Sequence, residues 1–353
     1  MNSALCPSIK WLSDASFCVD DHAAVAASNH QNSLTKPQGS LGRLEEVVIR
    51  LAGLQGQAFP SLTQTEIAIF AADHGVAAEP ISAYPQSVTR EMIRNFSEGG
   101  AAISVLAQEL QATLTIYNLG TCVSTDNMPG VINRVIAPQT TNMLQGAAMS
   151  QQQLALALNI GRDAVPNTRV ELFIGGEMGI GNTTAATAIA CALLKESAEK
   201  LTGIGTGIDQ AGVQRKTEVI NRAIHQHRSQ LVSPLAILQH LGGFEIAALT
   251  GAYITCAQRG IPVLVDGFIC TVAALVAVSI NPSIAPWLIL SHHSSERAYS
   301  LIAQHFNHKP LLDLAMRLGE GSGAAVTVPL LRVACTLHRN MATFAQANVS
   351  EKR

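Results

Sequence analysis

The sequence predicts an α/β protein: a parallel sheet covered on both faces by helices, with a smaller helical unit assembled from both chain ends. Three observations predict it. Short, continuously apolar runs alternate with longer segments of helical period through the middle of the chain, the pattern of strands buried on both faces. The two ends read as helical instead. Small residues dominate the apolar fraction, and aromatics are only 4% of the 353 residues, which suits helices packed closely on a sheet better than a stacking platform for single-stranded nucleic acid.

The elements follow in order. Ser40 is placed to cap a helix in which Leu41, Leu44, Val48, Leu51 and Leu54 recur at near-helical spacing. Gly56 and a loop with Pro60 end it. Strands are expected over 66–71, 113–118, 170–174, 261–265 and 287–290. Helices between them are expected over 88–96, 101–110, 183–194, 209–227 and 245–258, and the chain from Ser294 onward reads as helical again. The expected division is 59–301 for a large nucleotide-binding α/β domain, and 1–58 with 302–353 for the helical one. The last residues, from Ser350, are expected to fray.

Composition narrows the function classes. Hydrophobic residues are 48% and charged residues 14%, too apolar for disorder in the bulk. A net charge of −2 gives no electrostatic footprint for nucleic acid or an acidic membrane. The most apolar stretch, Phe268–Ile280, is shorter than the ~20 residues a spanning helix needs. The N-terminus shows no basic region followed by an apolar one, so no signal peptide is expected. Seven cysteines (Cys6, Cys18, Cys122, Cys191, Cys256, Cys270, Cys335) stand singly, with no CxxC. They read as buried, reduced thiols of a cytoplasmic protein.

In a doubly wound sheet, ligands bind at the carboxyl ends of the strands, which selects five regions. Asp73-His74-Gly75 follows the first strand and is either an acid/base pair or a turn in which Asp73 orients its neighbours. The run Gly175–Thr184, with four glycines, follows the strand at 170–174 and opens a helix. Its backbone can approach a ligand closely, but it has neither the Walker A Lys nor the dinucleotide spacing. Glu177 within it would repel a phosphate, so it suits a sugar, a cationic ring or a base; otherwise it is a tight turn. Gly203, Gly205 and Gly207, with Thr206 between, can form an N–H-lined concavity for phosphate, with Lys216 supplying the charge. Asp266 at a strand end suits ribose hydroxyls, or makes an Asx turn or helix cap. The fifth region holds Ser291-His292-His293-Ser294-Ser295 and Arg317–Gly323. Adjacent histidines on a strand point to opposite faces, and no carboxylate or cysteine stands at ligand spacing, so no metal site is expected. Ser294 and Ser295, read as opening a helix, suit phosphate. Glu320 lies between glycines, where it can reach a ligand or remain a solvated loop acid. No G-x-S-x-G is present. The residues themselves lead to a nucleotide-using α/β enzyme without metal.

Thr35-Lys36-Pro37-Gln38-Gly39-Ser40-Leu41-Gly42-Arg43-Leu44-Glu45, Ala72–Val76, Gly176–Gly179, Asn182–Thr184 and Arg317–Ala325 together resemble one family, nicotinate-nucleotide–dimethylbenzimidazole phosphoribosyltransferase of the late cobalamin pathway. The resemblance runs from about Leu34 to Asn348, with the motifs in order. It implies a Rossmann-like parallel sheet plus a small helical domain from both termini, a homodimer, and no cofactor. The implied reaction moves ribose 5-phosphate from nicotinate mononucleotide to 5,6-dimethylbenzimidazole, giving α-ribazole 5′-phosphate and nicotinate. By the same resemblance Glu320 is the general base and Glu177 a second active-site acid. Phosphate and ribose contacts fall on Gly203, Gly205, Thr206, Lys216, Asp266, Ser294 and Ser295. Asp73, Gly179, Asn182, Thr183 and Leu318 complete the substrate site. The aromatic pocket falls on Tyr84, Pro85 and Gln86, then Met92; members with Ser and Gln in place of Tyr84 and Met92 differ from this chain there.

That reaction needs what these residues offer. The ring nitrogen of nicotinate mononucleotide is cationic and leaves neutral, so no general acid is required. The attacking azole becomes cationic unless its other nitrogen loses a proton, and one ionised carboxylate suffices for that. A second carboxylate stabilises an oxocarbenium-like transition state. Two alternatives stand beside this reading: the same transfer to adenine, another benzimidazole or a phenol, and a nucleotide-binding module without catalysis.

Overall fold

The structure is a computed structural model that describes residues 7–350 apart from Asn127, Arg169, Thr206 and Asn307. Six strands form one sheet: β1 (Thr65–Ala72), β2 (Thr113–Gly120), β3 (Val131–Asn133), β4 (Leu172–Met178), β5 (Val263–Val265) and β6 (Leu288–Leu290). Their order is β3-β2-β1-β4-β5-β6, with every pairing parallel. This is the doubly wound arrangement, and β1 and β4 flank its switch point. The sequence pattern located five of the six strands. β3 escaped it because a three-residue, half-exposed edge strand carries no apolar run. β4 also runs further than expected. Gly175, Gly176 and Glu177 pair with Ala68, Ile69 and Phe70, so they belong to the strand rather than to a loop.

The core shows why small residues dominate. Helix Phe244–Gln258 is buried from Phe244 to Ala257 and packs on Gln151–Ala164 and against β1 and β4. A Cβ on Gly161 would strike the Ala248 carbonyl, and one on Gly251 the Leu158 carbonyl. The two helices therefore touch backbone to backbone. Helix Phe268–Ile280, the apolar stretch of the sequence, is likewise a core helix, and no described helix is long and apolar enough to cross a membrane.

The expected helices appear as Ser87–Ser97, Ala102–Leu110, Asn182–Leu194, Gln210–His227 and Phe244–Gln258. Gln151–Ala164 opens on a capping box: Ser150 Oγ accepts from Gln153 N at 3.1 Å, and Gln153 Oε1 accepts from Ser150 N at 2.8 Å. The chain ends meet. Helix Arg43–Gln55 packs on Asp21–Ser33 and on Ser322–Asn340, and Leu34 bridges Thr343. Ser40 does not cap Arg43–Gln55; Gly42 holds that position without a side-chain bond. The turn is held instead by Glu45, which accepts from Leu41 N at 2.8 Å and pairs with Lys36 Nζ at 2.8 Å. The region after Ser294 is less helical than expected, since among its described residues only Tyr299–Ala303, Ser322–Asn340 and Phe344–Ala347 are helices. Cys191, Cys256, Cys270 and Cys335 are buried free thiols, but Cys18 and Cys122 are exposed. Cys6 lies outside the described residues.

Candidate active site

The carboxyl ends of β4, β5 and β6 open beside a cavity of about 720 Å³, in the range of small-molecule sites. Glu177, Met178, Gly179, Ile180, Asn182 and Thr183 line it from the end of β4 and the following helix. Tyr84, Val88 and Met92 supply an apolar flank, and Gly205, Gly267, His292, Ser294 and Glu296 come from loops on the other half of the sheet. The segment Arg317-Leu318-Gly319-Glu320 also lines the cavity.

Glu320 is presented by a backbone that few sequences can adopt. Gly319, Glu320 and Gly321 all have positive φ, at 85°, 63° and 80°. A glutamate in that region is strained and persists only where its surroundings hold it. The holder is Asp266. Its Oδ2 accepts from Gly321 N at 3.0 Å and its Oδ1 from Ala324 N at 2.8 Å. Gly176, which has no Cβ, lets the Glu320 backbone lie directly on β4.

Glu177 and Glu320 are buried side by side, at 5% and 7% exposure, with no cation against either among the described residues. Asn182 Nδ2 donates to Glu177 Oε2. Burial, with the charges of Glu245, Asp266 and Glu320, pushes Glu177 well above the ordinary carboxylate range. Burial and the Asp266 charge bring Glu320 up to about 7. Of the two readings of Glu320, the solvated loop acid is excluded: its turn lies folded against β4 and its side chain is buried at the cavity.

A cationic corner lies just behind the lining, where Lys216 backs Thr183 and Gly205 without itself lining the cavity. Lys216 Nζ is buried and donates to Thr183 Oγ1 at 2.8 Å. The position a Gly205 Cβ would take is 3.1 Å from that Nζ, so the loop backbone passes beside the charge. Burial brings the Lys216 ammonium down to about 8, against the opposing charge of Glu296. It remains mostly protonated at pH 7, and an arriving phosphate favours that state. Thr206 lies outside the described residues.

Other expected site residues stand elsewhere. Asp73 is buried and accepts from Cys122 N at 2.9 Å, the orienting role rather than the acid/base one. His74 pairs with Glu245 at 2.6 Å, buried beneath the Gly179–Gly181 turn. Gln86 ties its loop down by donating to the His74 carbonyl at 2.8 Å; neither it nor Pro85 lines the cavity. Asp266 is fully buried and spends both oxygens on backbone N–H groups, so it shapes the Glu320 turn instead of facing ribose hydroxyls. Gly203 packs against the Glu296 carboxylate behind the lining. Ser294 lines the cavity from a loop, not a helix start, since the next helix begins at Tyr299. Ser295 does not line the cavity, and its N–H is bonded to the Met316 carbonyl. His292 and His293 take separate partners, Ser291 at 3.0 Å and Ser300 at 2.9 Å. Sequence reasoning missed Val88 as lining, although it stands four residues before Met92 on the same helical face. It also missed Glu296 and Phe268, for which no local signal exists.

Two carboxylates lining one cavity, with a buried ammonium directly behind its Thr183 and Gly205 wall, at the switch point of a doubly wound sheet, define an α/β enzyme built for a phosphorylated substrate. Comparison with known proteins narrows this. A family model described as phosphoribosyltransferase matches residues 18–349. The chain is 53% identical over 347 residues to nicotinate-nucleotide–dimethylbenzimidazole phosphoribosyltransferase of Ectopseudomonas mendocina, covering 98% of this chain and 99% of that one. It is 52% identical over 348 residues to the Pseudomonas aeruginosa (strain UCBPP-PA14) protein of that name, covering 98% and 99%. The crystal structure of the protein so named from Thermus thermophilus superimposes with a TM-score of 0.86 at 38% identity, over 94% of this chain and all of that one. The chain belongs to the nicotinate-nucleotide–dimethylbenzimidazole phosphoribosyltransferase family.

Proposed function

We propose that this protein moves ribose 5-phosphate from nicotinate mononucleotide to 5,6-dimethylbenzimidazole, releasing nicotinate and forming α-ribazole 5′-phosphate for the lower ligand of cobalamin. The observation that carries the reading is the pair Glu177 and Glu320, uncompensated by any described cation, in a cavity whose lining residues Thr183 and Gly205 are backed by the buried Lys216 ammonium. Lys216, Thr183 and the Gly205 loop take the 5′-phosphate. The apolar flank of Tyr84, Val88 and Met92 takes the flat acceptor ring. One azole nitrogen attacks the anomeric carbon from the face opposite the departing pyridine ring, which turns a β-linkage into an α-linkage.

Glu320 removes the proton from the other azole nitrogen. A base with a pKa of about 7 is matched to that task, typically worth ~10²–10⁴-fold. Burial and the neighbouring carboxylates favour the neutral form of Glu177. A cationic donor ring beside it favours its ionised form, which then stabilises positive charge developing at the anomeric carbon. No step calls on a cofactor or a metal. The same reading includes a homodimer in the cytoplasm, with 1–58 and 302–353 as one helical domain against an α/β domain over 59–301.

The test is nicotinate release from nicotinate mononucleotide with dimethylbenzimidazole as acceptor. Glu320→Gln is expected to bind both substrates and lose at least about 100-fold in turnover. Unchanged turnover in that variant refutes the assigned base. Tight donor binding without transfer to any aromatic base refutes the reaction.

A further inference from the structure

We propose that His292 is a specificity-determining residue of this site, whose Nε2 accepts a hydrogen bond from a hydroxyl of the ribose. The inference rests on the reading above and adds a residue that the sequence set aside.

The tautomer follows from the hydrogen bonds. Ser291 Oγ donates its only proton to the Val265 carbonyl at 2.7 Å. Against His292 Nδ1, 3.0 Å away, that oxygen can only accept. Nδ1 therefore carries a proton, a placement also favoured by the Asp266 carboxylate at 3.7 Å. Burial holds the imidazole below its usual range, so the ring is neutral near pH 7 and Nε2 presents a lone pair.

The position follows from packing. The Nδ1 edge lies against Gly323, where a Cβ would collide with the ring. Nε2 and Ser294 Oγ both lie 3.8 Å from the place a Gly267 Cβ would take, and all three residues line the cavity. Among the described residues no partner takes Nε2. One continuous wall connects the two ends of the site. Lys216 lies beside Gly205, and Gly203 lies beside the Glu296 carboxylate. Ser294 Oγ accepts from Glu296 N at 3.3 Å, and His292 packs on the first turn after Glu320. A sugar with its phosphate at Lys216 and its anomeric carbon at the carboxylates spans this wall. There an acceptor nitrogen and a serine hydroxyl stand together, the pair that a group both donating and accepting would satisfy.

The experiment compares nicotinate mononucleotide with its 2′-deoxy and 3′-deoxy analogues in the wild type, His292→Ala and His292→Gln. In the wild type, kcat/KM for at least one deoxy donor is expected to fall about 10- to 100-fold, because a buried acceptor is left unpaired. In His292→Ala that gap should shrink to about threefold or less. His292→Gln, which keeps an acceptor oxygen, should restore most of it. If both variants misfold, nitrogen-15 spectra of the wild type decide: the ribose donor should shift one unprotonated Nε2 resonance, and the discriminated deoxy donor should not. Equal use of all three donors by the wild type, or discrimination intact in His292→Ala, overturns the proposal while leaving the reaction standing. Absence of transfer from the ribose donor itself overturns the reaction, and this proposal with it.

Discussion

Two buried glutamates from recognisable motifs, Glu45 and Glu320, are equally hidden from water at 7% exposure and have opposite electrostatic fates. Burial alone would lift both. At Glu45, the Lys36 ammonium and the N–H groups of Leu41 and Gly39 outweigh burial and hold the carboxyl below its ordinary value. At Glu320, burial is reinforced by Asp266 and rises unopposed to about 7. The first carboxylate is consumed in closing the turn before helix Arg43–Gln55. The second is left uncompensated, at a cost to the fold, and is thereby free to take a proton from something that enters. Burial does not distinguish a structural acid from a functional one; the sign of its neighbours does.

The comparison breaks most sharply at Glu320→Gln. Turnover should drop by the ~10²–10⁴ of a general base while the fold gains stability. The carboxyl shifts from 4.5 unfolded to about 7 folded, so its penalty is absent below pH 4.5 and complete above pH 7. At pH 8 the variant should be more stable by on the order of 3 kcal/mol at most, and at pH 4 the two should converge in urea titrations. A stability gain over the wild type that is no larger at pH 8 than at pH 4 contradicts the unpaired carboxylate.

Lys36→Met should do the reverse. Breaking a buried pair costs about 3 kcal/mol, read as a lower urea midpoint, with turnover per folded molecule unchanged. Because Glu45 sits below its usual 4.5, that stabilisation is present above pH 4.5 and lost as acid titrates the carboxylate. A deficit that persists undiminished into strong acid would instead reflect lost packing of the lysine stem.

The pH profile sharpens the same contrast. With Glu320 near 7 and Lys216 near 8, kcat/KM for the donor should form a narrow bell, falling about tenfold per unit on either side. The acid limb belongs to the base losing its ionised form, and the alkaline limb to the ammonium losing its charge for phosphate. Lys216→Met should abolish the alkaline limb and raise KM for the donor. An alkaline limb retained in that variant reassigns the group. The smallest effect is expected at the cavity flank: Tyr84→Ser or Met92→Gln should change the ratio of dimethylbenzimidazole to adenine use by a few-fold, measured by competition in one vessel. An unchanged ratio removes these side chains from acceptor choice.

Much of the fold was legible because burial on both faces leaves an apolar run wherever a strand lies in mid-sheet, as in β1 and β4. β3 was illegible because an edge strand has no such requirement, and the extension of β4 was hidden by Gly175 and Gly176, which read as a turn. At the site, Glu177, Glu320 and Lys216 stood out as charges beside glycines. Asp266 stood out equally, yet it serves a distant turn. His292 was set aside because two adjacent histidines suggest a metal before they suggest a lone pair.

The sequence by itself determined the alternation of strands and helices, the switch-point topology this allows, and which residue types could carry the chemistry. Those are local matters, written in period and composition. Only the tertiary structure decided that Asp266 binds the backbone of Gly321 and Ala324, that Glu320 is lifted to about 7, and that His292 offers Nε2 to the cavity. Each depends on groups far apart in the chain meeting where water is excluded. Hydrogen-bond direction and protonation are fixed there by neighbours that no stretch of sequence contains.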